Sequence, residues 1–398
     1  MNVNESYISE HRLDDVHHLA LEPVPEGVDI KYCLQQIEGW QTAKHKLPLW
    51  SETDGIIYPP RLSMEQCSSQ LTANYKRLLV ERLFPNTEKR AGFADLTGGF
   101  GVDFSFIAPL FQEAAFADAQ PALCNLARHN LPLLGLPQAQ VFTPDCAPAD
   151  KHYTLIYLDP SRRNEGGRKV VALEECSPNI VALQDELLNK AEKVLVKLSP
   201  MLDISLALKL LKGVSQVHVV GVEGECKELL FVLSSSSDNR EIMFHCANLG
   251  TQSRPFICSQ TARQIQPQIL PEGTELAGGF LHEPNVCILK AGVQEALAEQ
   301  YGIKKLHPLS NLYFSTSALE GSQGLFRSFQ ITAWSDFGKK GLRELLAELK
   351  QANLTVRNFP TSVAALRKKL RLADGGKDYL FATTNSKGQH ILIRTLKI

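Results

Sequence analysis

The residues best suited to chemistry form one run, DLTGGFGVD, from Asp95 to Asp103. Gly98, Gly99 and Gly101 accept positive φ angles and let backbone approach a ligand closely, and a helix starting just after them points free amides into the same space. Thr97 and Phe100 lie within the turn, and Asp95 and Asp103 flank it. Two familiar loops do not fit. The turn lacks the Lys-Ser or Lys-Thr ending of a Walker phosphate loop, and GGFG is not the dinucleotide spacing GxGxxG.

Further acidic residues fall where buried strands should end, the rim at which open α/β sheets bind ligands. Asp118 comes 23 residues after Asp95, and a carboxylate there can accept both ribose hydroxyls, as in NAD and S-adenosylmethionine proteins. Asp145 can receive an adenine amino group. Asp159 opens the stretch Asp159-Pro160-Ser161-Arg162. Proline after a strand fixes φ and keeps the preceding residue out of helix, so the polar groups of the Asp-Pro pair face the mouth where an acceptor sits. No His, Lys or Tyr set suited to hydride handling accompanies them, which counts against an oxidoreductase.

The elements that must position these residues alternate between short apolar runs and amphipathic stretches. Strands are predicted at 91–96, 113–118, 139–144, 154–159 and 193–199, with helices at 102–111, 120–132 and 177–191, the pattern of a parallel sheet with crossover helices. QVHVVGV (216–222) and KELLFVLS (227–234) lie too close for a crossover and are expected as an antiparallel hairpin at the sheet edge. The stretch LSMEQCSSQLTANYKRLLVERLF (62–84) predicts one helix, opened by a capping box of Ser63 and Gln66, with Leu71, Leu78, Leu79 and Leu83 on one face. From 240 to 325 periodicity is weak, with strand-like NVCILKAG (285–292) and a helix at 293–302. Beyond it come a strand at SFQITAW, a helix at KGLRELLAELKQA, a strand at LTVRNF, a basic helix at SVAALRKKLRL, and a hairpin of YLFATT and HILIRTL.

The expected fold is therefore α/β: a Rossmann-like core over 86–238 whose mostly parallel sheet carries an antiparallel edge hairpin, a helical N-terminal region over 1–85, and α+β domains over 239–325 and 326–398. A chain of 398 residues with 44% hydrophobic and 21% charged residues can bury two or three cores. The nine cysteines form no CxxC pair, and His17-His18 and His245-Cys246 lack companions at ligand spacing, so neither a disulfide framework nor a metal is expected. The first twenty residues hold four carboxylates and no apolar run, and no apolar stretch approaches a membrane span, so a reducing cytoplasm is expected.

The net charge of −1 hides a division. From Lys339 to Ile398 thirteen Lys or Arg face four Asp or Glu, giving +9 and leaving −10 for the rest. Such a basic end suits a polyanion, with nucleic acid the leading candidate. Arg357, Arg367, Lys368, Lys369 and Arg371 are the expected contacts.

With DLTGGFGVD as a first motif and DPSR as a fourth, the chain resembles class I S-adenosylmethionine-dependent methyltransferases. The segment DLTGGFGVDFSFIA is also similar to that of a bacterial small-subunit rRNA guanine methyltransferase. EQCSSQLTANYK, DPSRR, EPNVCILKAG and VRNFPTSVAALRKKL followed by DGG extend the likeness to Bacteroidetes-type methyltransferases with a ferredoxin-like insert and a C-terminal THUMP-like domain. The resemblance implies that Gly98, Gly99 and Gly101 hold the methionine part of S-adenosylmethionine, and Thr97, Phe100 and Asp103 around them are further expected cofactor-binding residues. It places Asp95 at the cofactor's amino end, Asp118 at the ribose, and Asp159 with Pro160 at the acceptor. Thr72 and Tyr75 would cover the cofactor, or serve packing alone.

THUMP domains bind RNA, so the implied acceptor is a base nitrogen in rRNA or tRNA. Ser161 and Arg162 stand where amino-directed enzymes usually carry a second Pro and an aromatic ring. An arginine can stack on a base or clamp a phosphate, which leaves the methylated atom open. A small-molecule or protein acceptor, and a catalytically silent cofactor-sensing RNA-binding protein, are the competing readings.

Overall fold

The computed structural model describes residues 2–143, 151–161, 172–235, 241–250 and 254–398. Two compact units emerge: Met1–Ser215 with Leu230–Asp238, and Gln216–Leu229 with Asn239–Ile398.

The first unit begins with helices α1 (Val3–His11), α2 (Val16–Leu19), α3 (Ile30–Lys46), α4 (Pro48–Glu52), α5 (Arg61–Gln66) and α6 (Gln70–Leu83). The single helix expected over 62–84 is thus two. Cys67 is extended (ψ 156°), and Ser69 starts α6 by accepting a hydrogen bond from the Thr72 amide (3.3 Å). The start signal is Ser69, whereas α5 follows Pro60 and has no side-chain cap. The buried face differs accordingly: α6 buries Thr72, Ala73, Tyr75, Lys76, Leu79 and Val80, while Leu71 and Leu78 are exposed. Apolar spacing alone misjudged this helix because part of its inner face meets a polar cluster.

Five parallel strands follow in the order β3-β2-β1-β4-β5: β1 Gly92–Asp95, β2 Glu113–Ala117, β3 Gln140–Phe142, β4 Tyr153–Leu158 and β5 Ala191–Leu198. Helices α7 (Val102–Ile107), α8 (Pro121–Leu133) and α9 (Ile180–Lys190) lie between consecutive strands in the chain, and α10 (Ile204–Leu210) comes after β5. All six residues of β4 are buried, as expected of a strand covered on both faces. The chain order reverses between β1, which pairs with β2, and β4 on its other side. Ligands bind at such a switch point, outside the carboxyl ends of the strands. Asp95 is the last residue of β1, Asp118 follows β2, and Asp159 follows β4.

The unit boundary runs through β6 (Val214–Val222) and β7 (Glu225–Ser234). Glu223 and Gly224 join them with φ of 51° and 85°, the positive pair that a two-residue hairpin turn requires. The hairpin does not end the pairing: β6 pairs in parallel with β8 (Met243–Leu249), which pairs antiparallel with β9 (Phe256–Ser259). The edge expected at the hairpin is therefore covered. The strand that covers it lies in the weakly periodic stretch, where no local signal marks a parallel partner.

The second unit also holds a seven-stranded sheet, β11-β12-β10-β13-β16-β15-β14. Its strands are β10 Phe280–Pro284, β11 Lys304–Lys305, β12 Tyr313–Ser315, β13 Phe326–Asp336, β14 Asn353–Val356, β15 Asp378–Thr384 and β16 His390–Lys397. NVCILKAG is not a strand but the helix α11 (Val286–Ala291). Asn285 caps the amides of Cys287 (3.0 Å) and Ile288 (3.1 Å), and Gly292 ends the helix at φ 71°. Helices α12 (Gln294–Gln300), α13 (Lys339–Leu345) and α14 (Val363–Leu370) complete the unit. Phe329, Phe381, Ile391 and Ile393 are fully buried in one of its cores. Among the described residues no helix is long and apolar enough to cross a membrane.

Candidate cofactor and acceptor site

The glycine turn is tied to the neighbouring strand ends by its own amides. Thr97 N–H donates to Asp95 Oδ1 (2.9 Å), Gly98 N–H to the Ala117 carbonyl (2.9 Å), and Gly99 N–H to Asp118 Oδ2 (2.9 Å). Asp118 Oδ1 accepts from Gln120 N–H (2.8 Å). One carboxylate thus clamps the loops after β1 and β2 together. A Cβ at Gly98 would lie 2.0 Å from Cε2 of the buried Phe116 ring, so only glycine fits. Gly101 starts α7 at φ 91°, a left-handed conformation that favours glycine. Phe100 points into the core, its ring centroid 4.5 Å from Trp50 and 6.2 Å from Tyr58.

Asp95 is 1% exposed. Burial pushes its carboxyl well above the usual range, against the pull of the Thr97 amide, and the nearby charges of Asp103, Asp159 and Asp118 push the same way. Four carboxylates therefore share one small region.

Beneath the turn lies a polar cluster for which the sequence reading had no place. Asp103, in the first turn of α7, accepts hydrogen bonds at Oδ2 from Ser68 Oγ (2.7 Å) and the Tyr157 hydroxyl (2.7 Å). Its Oδ1 lies 3.1 Å from Lys76 Nζ, which also donates to Ser68 Oγ (3.2 Å). Lys76 is completely buried. Burial alone would raise the Asp103 carboxyl, but the Lys76 and Lys197 charges and the two hydroxyl donors hold it below the ordinary value. The available signal was a lysine placed between Thr72 and Leu79 on the inner face of α6. Thr72 and Tyr75 are buried on that same face.

The acceptor motif joins the turn through Thr97. Asp159 N–H donates to Thr97 Oγ1 (2.6 Å), whose hydroxyl lies 3.5 Å from Asp95 Oδ1. The Asp159 carboxylate is paired with Lys197 Nζ from the end of β5. Pro160 is buried, and Ser161 exchanges backbone hydrogen bonds with Ser177 (2.7 and 2.9 Å). Thr97 thus links Asp95 to Asp159 directly, and Gly99 binds Asp118. Asp145 and Arg162 lie outside the described residues.

In the second unit the expected RNA contacts divide. Arg357 Nε is bound to Glu283 (2.5 Å), which also takes Arg327 (3.2 Å). Arg367 donates to the carbonyls of Ala352 (3.1 Å) and Ala373 (2.9 Å) and pairs with Asp374 (2.6 Å). Both therefore have local structural work. Lys368, Lys369 and Arg371 are exposed, Lys369 lying 5.9 Å above the Phe337 ring. Among the described residues no group of three or more His, Cys, Asp or Glu side chains is arranged to hold a metal.

With this geometry in hand, similarity to known proteins is decisive. Residues 280–321 match the ferredoxin-like domain family and residues 326–397 the THUMP domain-like family. A candidate methyltransferase from Porphyromonas gingivalis W83 is 30% identical, with 99% of this chain and 97% of that one aligned and a TM-score of 0.84 between the structures. The chain belongs to the class I S-adenosylmethionine-dependent methyltransferases with ferredoxin-like and C-terminal THUMP-like domains. An uncharacterized S-adenosylmethionine-dependent methyltransferase of Mycobacterium tuberculosis is 26% identical over 283 residues, covering 70% of this methyltransferase and 73% of its own length.

The methyltransferase's own residues fit its cofactor. A nucleoside needs a fixed pair of acceptors for its ribose hydroxyls. Each Asp118 oxygen is anchored by one amide and, as a carboxylate oxygen, has further acceptor capacity. A cationic sulfonium also suits a region in which Asp103, Asp159 and Asp118 stand close enough to Asp95 to shift its carboxyl.

Proposed function

We propose that this methyltransferase modifies a base nitrogen in RNA, rRNA or tRNA, with Asp159 and Pro160 facing the acceptor. In this reading Gly98, Gly99 and Gly101 hold the methionine part of the cofactor, Asp95 meets its amino end and Asp118 binds the ribose. Thr97 links that turn to the acceptor motif, Asp103 braces α7 from below, and Phe100 anchors the turn to the core. Asp145 is assigned to the adenine, and Ser161 and Arg162 to the acceptor side.

S-adenosylmethionine supplies a methyl group already activated by the sulfonium. The protein's task is alignment and exclusion of water, effects that can contribute several kcal/mol of barrier reduction. The Asp159 carboxylate, its backbone fixed by Thr97, accepts a hydrogen bond from an acceptor amine and turns the nitrogen lone pair toward the methyl.

The RNA reading is carried by one observation: the segment matching the THUMP-like family coincides with the basic end of the chain, where Lys368, Lys369 and Arg371 are exposed. Tritiated S-adenosylmethionine, incubated with total RNA from a strain lacking the protein and followed by nucleoside analysis, tests it. Label is expected in one modified nucleoside. Label entering only protein or small molecules overturns the RNA reading. Asp159→Ala should abolish transfer yet retain cofactor binding by calorimetry, and full activity in that variant overturns the role of Asp159.

A further inference from the structure

We infer that Lys197 is a positioning residue for methyl transfer: its ammonium grips one oxygen of the Asp159 carboxylate and so sets the direction in which the other oxygen meets the acceptor. The inference rests on the acceptor role proposed for Asp159, and it adds a residue that no motif of the chain marks.

Backbone register brings the two side chains together. β4 and β5 run in parallel with Leu158 opposite Val196, so the next residues, Asp159 just past the end of β4 and Lys197 near the end of β5, come side by side. Val196 and Leu198 are buried, while Lys197 is 13% exposed at its side chain. Burying most of a lysine is costly unless an opposite charge meets it. That charge is Asp159 Oδ2, and the Lys197 charge also reaches Asp103.

Asp159 is held at two points. Thr97 Oγ1 fixes its amide and Lys197 fixes its carboxylate. A carboxylate on a motif that leaves the sheet is otherwise free to rotate about its terminal torsion, which has broad wells. With both holds in place, its orientation is set before an acceptor arrives. Such preorganisation matters because a displacement of about 1 Å at a reacting group can cost about a hundredfold in rate.

The test is a double-mutant cycle on the full chain. Wild type, Lys197→Met, Lys197→Arg, Asp159→Asn and Lys197→Met with Asp159→Asn are compared for S-adenosylmethionine binding by calorimetry. Transfer of tritiated methyl is then measured to the RNA, protein and small-molecule fractions of one extract, using whichever fraction the wild type labels. This separates the two ideas, since label outside RNA overturns the RNA reading while the cycle is still read on the labelled fraction.

Lys197→Met is expected to lose about a hundredfold in kcat with cofactor affinity within about twofold of wild type, and Lys197→Arg to recover part of the rate. Because Lys197 acts through Asp159, the double variant should be no slower than Asp159→Asn alone. Additive losses, or an unchanged kcat in Lys197→Met, overturn the inference. An unchanged rate in Asp159→Asn overturns both it and the Asp159 reading.

Discussion

Replacing Lys76 by Met removes the cation from the cluster under the glycine turn while keeping most of the side-chain volume. Lys76 is fully buried and Asp103 nearly so, with 3.1 Å between their charged atoms. Ser68 and Tyr157 would still donate to Asp103, but the carboxylate would lose its closest compensating charge. Breaking one partner of a buried pair costs about 3–5 kcal/mol. A large part of that should return when Asp103→Asn is added, because the buried charge then disappears. The pH dependence follows from the same pair. Asp103 is held below its ordinary value, so its contribution is present above the unfolded pKa of about 3.9 and is lost as pH falls through the folded value. In Lys76→Met, burial is no longer offset to the same degree, the carboxyl rises, and protonation relieves the cost. The deficit relative to wild type should therefore be largest near neutral pH and shrink on acidification. Urea titration in a Trp334→Phe background reads this well, because the remaining tryptophans, Trp40 and Trp50, both belong to the first unit. A deficit under about 1 kcal/mol that is also independent of pH would refute the reasoning.

The remaining expectations concern other parts of the chain. Gly98→Ala drives a Cβ into the Phe116 ring, overpacking worth about 1–3 kcal/mol; calorimetry should show clearly weaker S-adenosylmethionine binding, partly restored by Phe116→Leu. His282 is buried between the hydroxyls of Ser328 (2.9 Å) and Ser315 (2.8 Å), and burial lowers its pKa to about 4. A lowered base contributes stability above its unfolded pKa of about 6.5, and about 3 kcal/mol should be lost as pH falls toward 4; melting followed at Trp334 should show this decline, and His282→Gln should flatten it. Lys368→Glu with Lys369→Glu and Arg371→Glu should weaken RNA binding and make it less salt-dependent, by about 0.7 in the log–log slope per lost contact. Arg367→Ala, by contrast, should lower thermal stability, because Arg367 holds the carbonyls of Ala352 and Ala373.

The turn and the strand-end acids were legible because their causes are local. Three closely spaced glycines after an apolar run have few uses, and parallel strands deliver their carboxyl ends to one rim whatever the details of packing. The cluster at Lys76 was not legible, because its explanation sits 27 residues away at Asp103. A lysine on the inner face of a helix looks like a fault in the apolar pattern until its partner is known. The α6 start was misplaced for a related reason: Ser63 with Gln66 and Ser69 are both credible caps by residue type, and only the extended backbone at Cys67 chooses between them. NVCILKAG misled because six residues of helix are too few to show a period. Its end signals, Asn285 and Gly292, carried the correct answer.

Under the proposed function, the charge distribution assigns the acidic and basic parts of the chain to different steps. Around the turn, four carboxylates are met by two lysines, Lys76 paired with Asp103 and Lys197 with Asp159. Asp118 is anchored by amides instead, and Asp95 is pushed toward its neutral form by burial. Among the described residues the local balance is thus close to neutral with a residual negative charge at Asp118, which suits a cationic cofactor. A phosphate backbone needs exposed cations, and Lys368, Lys369 and Arg371, exposed in the other compact unit, can supply them. Substrate capture and cofactor binding would then draw on separate charges, so a substitution that weakens one need not weaken the other.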